Sequence, residues 1–80
     1  MSALLTIDAR GHRCPVPTLR LRKALAEAPA AGRAVLLATD PMARIDAPYL
    51  MRELGGYVVD IVEADGVLTI TVERPAAPTG

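Results

Sequence analysis

The apolar positions of the chain change their spacing along its length, and each change marks an element. A short apolar run from Leu4 to Asp8 reads as a first strand, and Gly11-His12-Arg13 reads as a turn. From Pro15 to about Ala28 the spacing becomes helical. Leu21, Leu25 and Ala28 share one face, with Pro17 and Ala24 beside them, while Arg20, Arg22, Lys23 and Glu27 lie off it. Pro29 and Gly32 stop that helix. Ala34 to Thr39 is a continuous apolar run, the pattern of a central parallel strand. Asp40 to Asp46 reads as a turn, with Asp46 as the cap of a second helix, Pro48 in its first turn and Gly55-Gly56 at its end. Tyr57 to Ala64 and Val67 to Glu73 are strands joined through Asp65-Gly66, a strong hairpin signal. In the last strand Leu68, Ile70 and Val72 alternate with Thr69, Thr71 and Glu73, so one face is apolar. The predicted order is βαβαββ. It implies an α/β two-layer sandwich, a four-stranded mixed sheet with two helices on one face. Residues 1–74 form the single expected domain, and 75–80 read as a disordered tail.

Composition narrows this picture. Eighty residues make one domain, and with no Phe, no Trp and only two Tyr the core must come from Leu, Val, Ile and Ala. Formal net charge is zero, so bulk charge announces neither a nucleic acid nor a membrane. The distribution is uneven, however. Eight of nine Lys and Arg lie between Arg10 and Arg52, and five of nine acids lie between Glu53 and Glu73. The start MSALLTIDAR lacks the basic opening and apolar length of a signal peptide, and no apolar run reaches membrane-spanning length. A cytoplasmic protein is expected, where a free thiol persists.

That thiol is Cys14, the one cysteine of the chain, so neither an internal disulfide nor a Cys-rich metal site can form. It stands in DARGHRCPVPTLRLRK, before prolines and among basic residues. The residue before a proline is held extended, and proline suits the first helical turn. The spacing therefore predicts Cys14 as the N-cap, Pro15 at N1, Val16 at N2 and Pro17 at N3. Pro17 has no N–H, which leaves Val16 as the backbone donor to the sulfur. The helix dipole, with Arg10, His12 and Arg13 nearby, then predicts a lowered thiol pKa. Gly11 supplies a tight turn that lets a partner approach. A lone cysteine is most often a buried small apolar residue, but the adjoining prolines, turn and charges argue for an exposed nucleophile. Without a Cys-x-x-Cys pair, such a nucleophile bonds an external group, as a persulfide or a mixed disulfide, in a carrier between enzymes.

Gly11-His12-Arg13-Cys14-Pro15-Val16-Pro17 resembles the Gly-Leu-x-Cys-Pro-x-Pro motif of the TusA (SirA-like) family of sulfur-carrier proteins. Asp40-Pro41-Met42-Ala43 and Asp46-Ala47-Pro48 resemble its second motif, and Gly55 fits the glycine after its second helix. The likeness runs from about Asp8 to Glu73. It implies the βαβαββ sandwich and a sulfurtransferase role. Cys14 would take sulfane sulfur as a persulfide from a cysteine desulfurase or a rhodanese and pass it to an acceptor protein, with no cofactor. The family serves tRNA thiolation, molybdenum-cofactor enzymes, sulfur oxidation and thiosulfate use. Three positions depart from the family pattern: His12 where Leu is usual, Gly56 where His is frequent, and Met51 where some members carry a second Cys. Gly56 is read as removing a polar group from the site, with His12 as its replacement.

Two further readings concern the surroundings. On a helical wheel Val16 and Leu19 fall among Arg20, Arg22 and Lys23, an apolar pair within a basic rim that would suit partner docking. Asp40 and Asp46 read as turn and cap residues, and Tyr49 and Tyr57 as packing residues. The alternative to a carrier is a regulatory adaptor, or an RNA-binding module using the basic first helix. Zero net charge and the lack of aromatic stacking platforms weigh against RNA.

Overall fold

The computed structural model describes residues 5–28 and 32–74. It realises the predicted order: β1 (Leu5–Ala9), α1 (Val16–Glu27), β2 (Arg33–Ala38), α2 (Ala43–Glu53), β3 (Tyr57–Ala64) and β4 (Val67–Glu73). The sheet order is β1-β2-β4-β3. β1 and β2 are parallel, with Ile7 opposite Leu36, and the other two pairings are antiparallel. Both helices cover one face, giving the two-layer mixed sandwich. The 75–80 tail, and Leu4 at the start of the predicted first strand, lie outside the described residues.

In β4 the core follows the alternation read from sequence, and β2, a continuous apolar run in sequence, alternates as well. Ile7 and Ala9 of β1, Ala34, Leu36 and Ala38 of β2, and Leu68, Ile70 and Val72 of β4 point under the helices. Pro17, Leu21 and Leu25 of α1 meet them, as do Ala43, Ala47, Leu50 and Met51 of α2. Predicted Ala24 and Ala28 are only half-buried. Alanines at 9, 38, 43 and 47 are fully buried between the sheet and the helices.

Three local devices position the elements. At the β3–β4 hairpin, Asp65 (φ 53°) and Gly66 (φ 78°) both take positive φ, as a type I′ turn requires. At the end of α2, Gly55 N–H donates to Arg52 and Gly56 N–H to Met51, a Schellman motif with Gly55 at φ 78°. At the end of α1, Arg74 Nη2 donates to the carbonyls of Leu25 and Ala28 at 2.7 and 2.8 Å. That third device joins the last described residue to the first helix.

Both helix starts differ from the sequence reading. α1 begins one residue later: Pro15, not Cys14, is the N-cap, which puts Val16 at N1 and Pro17 at N2. The first helical bond runs from Leu19 N–H to the Pro15 carbonyl, 3.0 Å, so regular geometry starts only after that proline. α2 begins three residues before Asp46, with Met42 as its N-cap and no side-chain capping bond, while Asp40 closes the turn ahead of it. Asp40 Oδ1 accepts the Met42 N–H, its carbonyl accepts that of Ala43, and Asp46 and Pro48 are left inside the helix.

Candidate functional site

Parallel neighbours carry their following loops at the same end of a sheet, and that end is where α/β proteins place their sites. Here the loop after β1 meets the loop after β2. Gly11 N–H donates to Thr39 Oγ1 at 2.9 Å, and Cys14 N–H donates to Asp40 Oδ2 at 2.7 Å. Gly11 sits at φ +83° while His12 N–H closes back on the Ala9 carbonyl, which is the tight turn expected of it. A groove of about 350 Å³ runs between the two loops, lined by Gly11, His12, Arg13, Thr39, Asp40 and Pro41.

Cys14 is half-buried at the start of this arrangement, and its peptide bond to Pro15 is cis. Val16 N–H donates to the Arg13 carbonyl at 2.9 Å, so it does not serve the sulfur as the sequence suggested. The thiol instead donates to Asp46 Oδ2, on the first turns of α2. That bond, burial, and the charges of Asp46 and Asp40 push the Cys14 thiol up to about 11, opposite to the expected lowering. The dipole argument fails for two reasons. Cys14 lies one residue outside the helix cap, and the carboxylates of Asp46 and Asp40, not the cations counted on, act on the sulfur. Arg10 is committed to Asp8, with Nε and Nη2 at 2.9 and 2.8 Å from its carboxylate. Arg13 acts on Asp40 through its charge alone; the pKa of Asp40 is lowered by the N–H groups of Cys14 and Met42 and then by that cation.

The rest of the predicted site divides. His12 and Arg13 are exposed on the loop, Pro15 follows the thiol as an exposed N-cap, and Pro17 is buried in the core. Leu19 is 56 % exposed, as the wheel implied, whereas Val16 is half-buried. Arg20 and Lys23 are exposed without an ion pair among the described residues, while Arg22 pairs with Glu53 at 2.8 Å. Tyr49 and Tyr57 are not packing residues: both are more than half exposed, and Tyr57 Oη donates to Glu73. Gly56 lies at the far end of the sheet, where a Cβ would stand 2.5 Å from the Glu73 carbonyl oxygen and 2.8 Å from Met51 Cε. It is therefore a packing glycine, and His12 replaces nothing there.

Sequence reasoning missed two features. The first is Asp46 as the partner of the thiol. Its one signal was membership of the second motif, because an acid before a helical run is ordinarily a cap. The second is an exposed apolar stripe on α2, formed by Met42, Ile45 and Tyr49 at helical spacing. It borders a small groove of about 190 Å³ lined by Ile45, Pro48, Tyr49 and Arg52. No cluster of three or more metal-ligating side chains occurs among the described residues. The arrangement offers one thiol, anchored through its backbone and held as a hydrogen-bond donor.

Comparison with known proteins agrees with this geometry. Residues 5–74 match the family described as Sulfurtransferase TusA. A protein of Neisseria meningitidis serogroup A, named as a candidate sulfur carrier, is 40% identical over 69 residues, 86% of this chain and 93% of the relative. The sulfur carrier protein TusA of Pseudomonas entomophila is 34% identical over 71 residues, 89% of each chain. The crystal structure of a SirA-like protein from Desulfitobacterium hafniense superposes with a TM-score of 0.76 at 33% identity, covering 89% of this chain and 96% of that one. A match across almost all the described residues, with the lone cysteine at the first strand-to-helix loop, places the chain in the TusA family of sulfur-transfer proteins.

Proposed function

We propose that this chain is a sulfur carrier that holds sulfane sulfur as a persulfide on Cys14. The observation that carries the reading is the presentation of the one thiol: half-buried, at a loop between two elements, with its own N–H pinned by Asp40 and no second cysteine to form an internal disulfide. In the loading step Cys14 sulfur attacks the terminal sulfur of a donor persulfide. A Cys14 S–S bond forms and the donor S–S bond breaks. The donor cysteine leaves as thiolate and takes up the proton that Cys14 gives up. No oxidant is consumed, since a thiol and a persulfide become a persulfide and a thiol. Delivery repeats the step with Cys14 as donor. A cysteine desulfurase or a rhodanese suits the first role, and an acceptor protein with a free cysteine suits the second. The docking surface we assign is Leu19 with the basic side chains Arg20, Arg22 and Lys23.

Intact mass tests the reading. Incubation with a cysteine desulfurase and cysteine, or with a rhodanese and thiosulfate, should add the mass of one sulfur atom. Reductant should remove it, and Cys14→Ser should never gain it. An unmodified mass with several active donors would favour the adaptor reading.

A further inference from the structure

We propose that Asp46 distinguishes the empty carrier from the loaded one: it holds the Cys14 thiol against α2 and releases the sulfur once that sulfur has become a persulfide. The inference rests on Cys14 as the persulfide site and adds a positioning residue to it. The geometry has three parts. The Cys14 thiol donates to Asp46 Oδ2. The backbone beside it is fixed independently, since Cys14 N–H donates to Asp40 Oδ2 at 2.7 Å. Cys14 is only half-buried, so its side chain can turn outward while the backbone stays pinned.

Loading changes what the sulfur can offer that carboxylate. The empty side chain is S–H, a donor that an anion accepts well. The loaded one is S–S–H, whose terminal sulfur is more acidic than a thiol and is mainly an anion near neutral pH. An anion has no proton to donate, and it carries the same charge as Asp46 and Asp40, so the contact that held the thiol becomes repulsive. The groups bearing on the sulfur are Asp46 from α2 and Asp40 from the loop after β2, with Arg13 on its own loop acting through Asp40. The two charges that bear most on the sulfur are therefore negative. The loaded sulfur turns away from α2 toward solvent, where a partner's cysteine can reach it. The empty sulfur stays tucked and protonated, a poor nucleophile toward incidental electrophiles.

The test follows alkylation by iodoacetamide, a neutral probe, against pH in four samples: empty and persulfide-loaded, each as wild type and as Asp46→Asn. In the empty protein Asp46→Asn should lower the midpoint by one unit or more and speed reaction at pH 8 more than tenfold. In the loaded protein the same substitution should move the midpoint by less than half a unit. An unmoved midpoint in the empty protein would mean that Asp46 does not hold the thiol, and equal shifts in both states would mean that the persulfide stays beside it. Either result overturns the proposal. Failure of any sample to gain sulfur would sink the persulfide reading alone, because the empty-state comparison needs no sulfur. Should Asp46→Asn not fold, the side-chain carboxyl ¹³C resonance of Asp46 in the wild type answers the same question. It should respond as the thiol titrates in the empty chain and be silent over that range in the loaded one; a response in both overturns the proposal.

Discussion

Single residues decide the chemistry here through what surrounds them. Cys14 is the clearest case, because its raised pKa is also a statement about stability. An unfolded thiol ionises near 8.5, whereas this one is held up to about 11. The stabilising contribution is complete below the unfolded value and is lost as pH rises through the folded value, since the unfolded chain releases its proton first. Stability should therefore fall between pH 9 and 11. Cys14→Ser, which keeps a hydroxyl donor for Asp46 but does not titrate there, should lose less over that range. Urea midpoints at pH 8 and 10.5 for both chains check this. Tyr57, raised by its bond to Glu73, adds an alkaline loss common to both. Gly11 offers a second prediction. At φ +83° with open space where a Cβ would go, Gly11→Ala meets backbone strain and no clash. It should cost about 1 kcal/mol, read as a melting point lower by roughly 4–8 °C.

The elements were legible wherever one local pattern sufficed. β3 and β4 fall on their predicted residues, because Asp65-Gly66 fixes the turn and the Thr and Val alternation fixes the face. The helix starts were less legible. Asp46 read as the cap of α2, and only the fold shows that the helix starts at Ala43 while Asp46 is engaged elsewhere. The Cys14–Asp46 contact spans 32 positions and leaves no periodic trace, so charge counted along the chain gave the thiol the wrong sign of shift. The cap of α1 by Arg74 was hidden for the same reason, since its carbonyl partners lie 46 and 49 residues away. Arg74→Ala should remove charge-assisted bonds to both carbonyls and destabilise by about 1–3 kcal/mol, with amide exchange near Leu25 and Ala28 rising first. Gly56→His, which would restore the frequent family residue, must displace the Glu73 backbone and Met51. A loss of about 1–3 kcal/mol is expected from such overpacking, measured by urea unfolding, with Cys14 alkylation unaltered because the two sites lie at opposite ends of the sheet.

Across the whole molecule, charge is unevenly spread over the exposed surface. Leu19 on α1 and Met42, Ile45 and Tyr49 on α2 are exposed, with Arg20, Lys23, Arg44 and Arg52 on the same two helices, while Asp60, Glu63 and Asp65 are exposed along β3 and its turn. A partner with an apolar centre and an acidic rim fits the helical layer. Leu19→Glu should leave the fold and Cys14 alkylation unchanged yet slow sulfur transfer from the cognate donor. Replacing Arg20 and Lys23 by Glu should slow association and flatten its salt dependence, read by stopped-flow mixing at several ionic strengths. Unfolding of Leu19→Glu would instead place Leu19 in the core. The parallel pairing of β1 with β2 has one more effect. With the packing of α2 it brings Asp40 to the backbone and Asp46 to the sulfur of Cys14, so the restraint on that sulfur exists only while the sandwich is closed. A nascent or locally opened chain carries an ordinary, more promiscuous thiol, and closure makes it selective. The cysteine thus doubles as a built-in reporter of its own folding, and its labelling rate at neutral pH rises with each excursion from the native state.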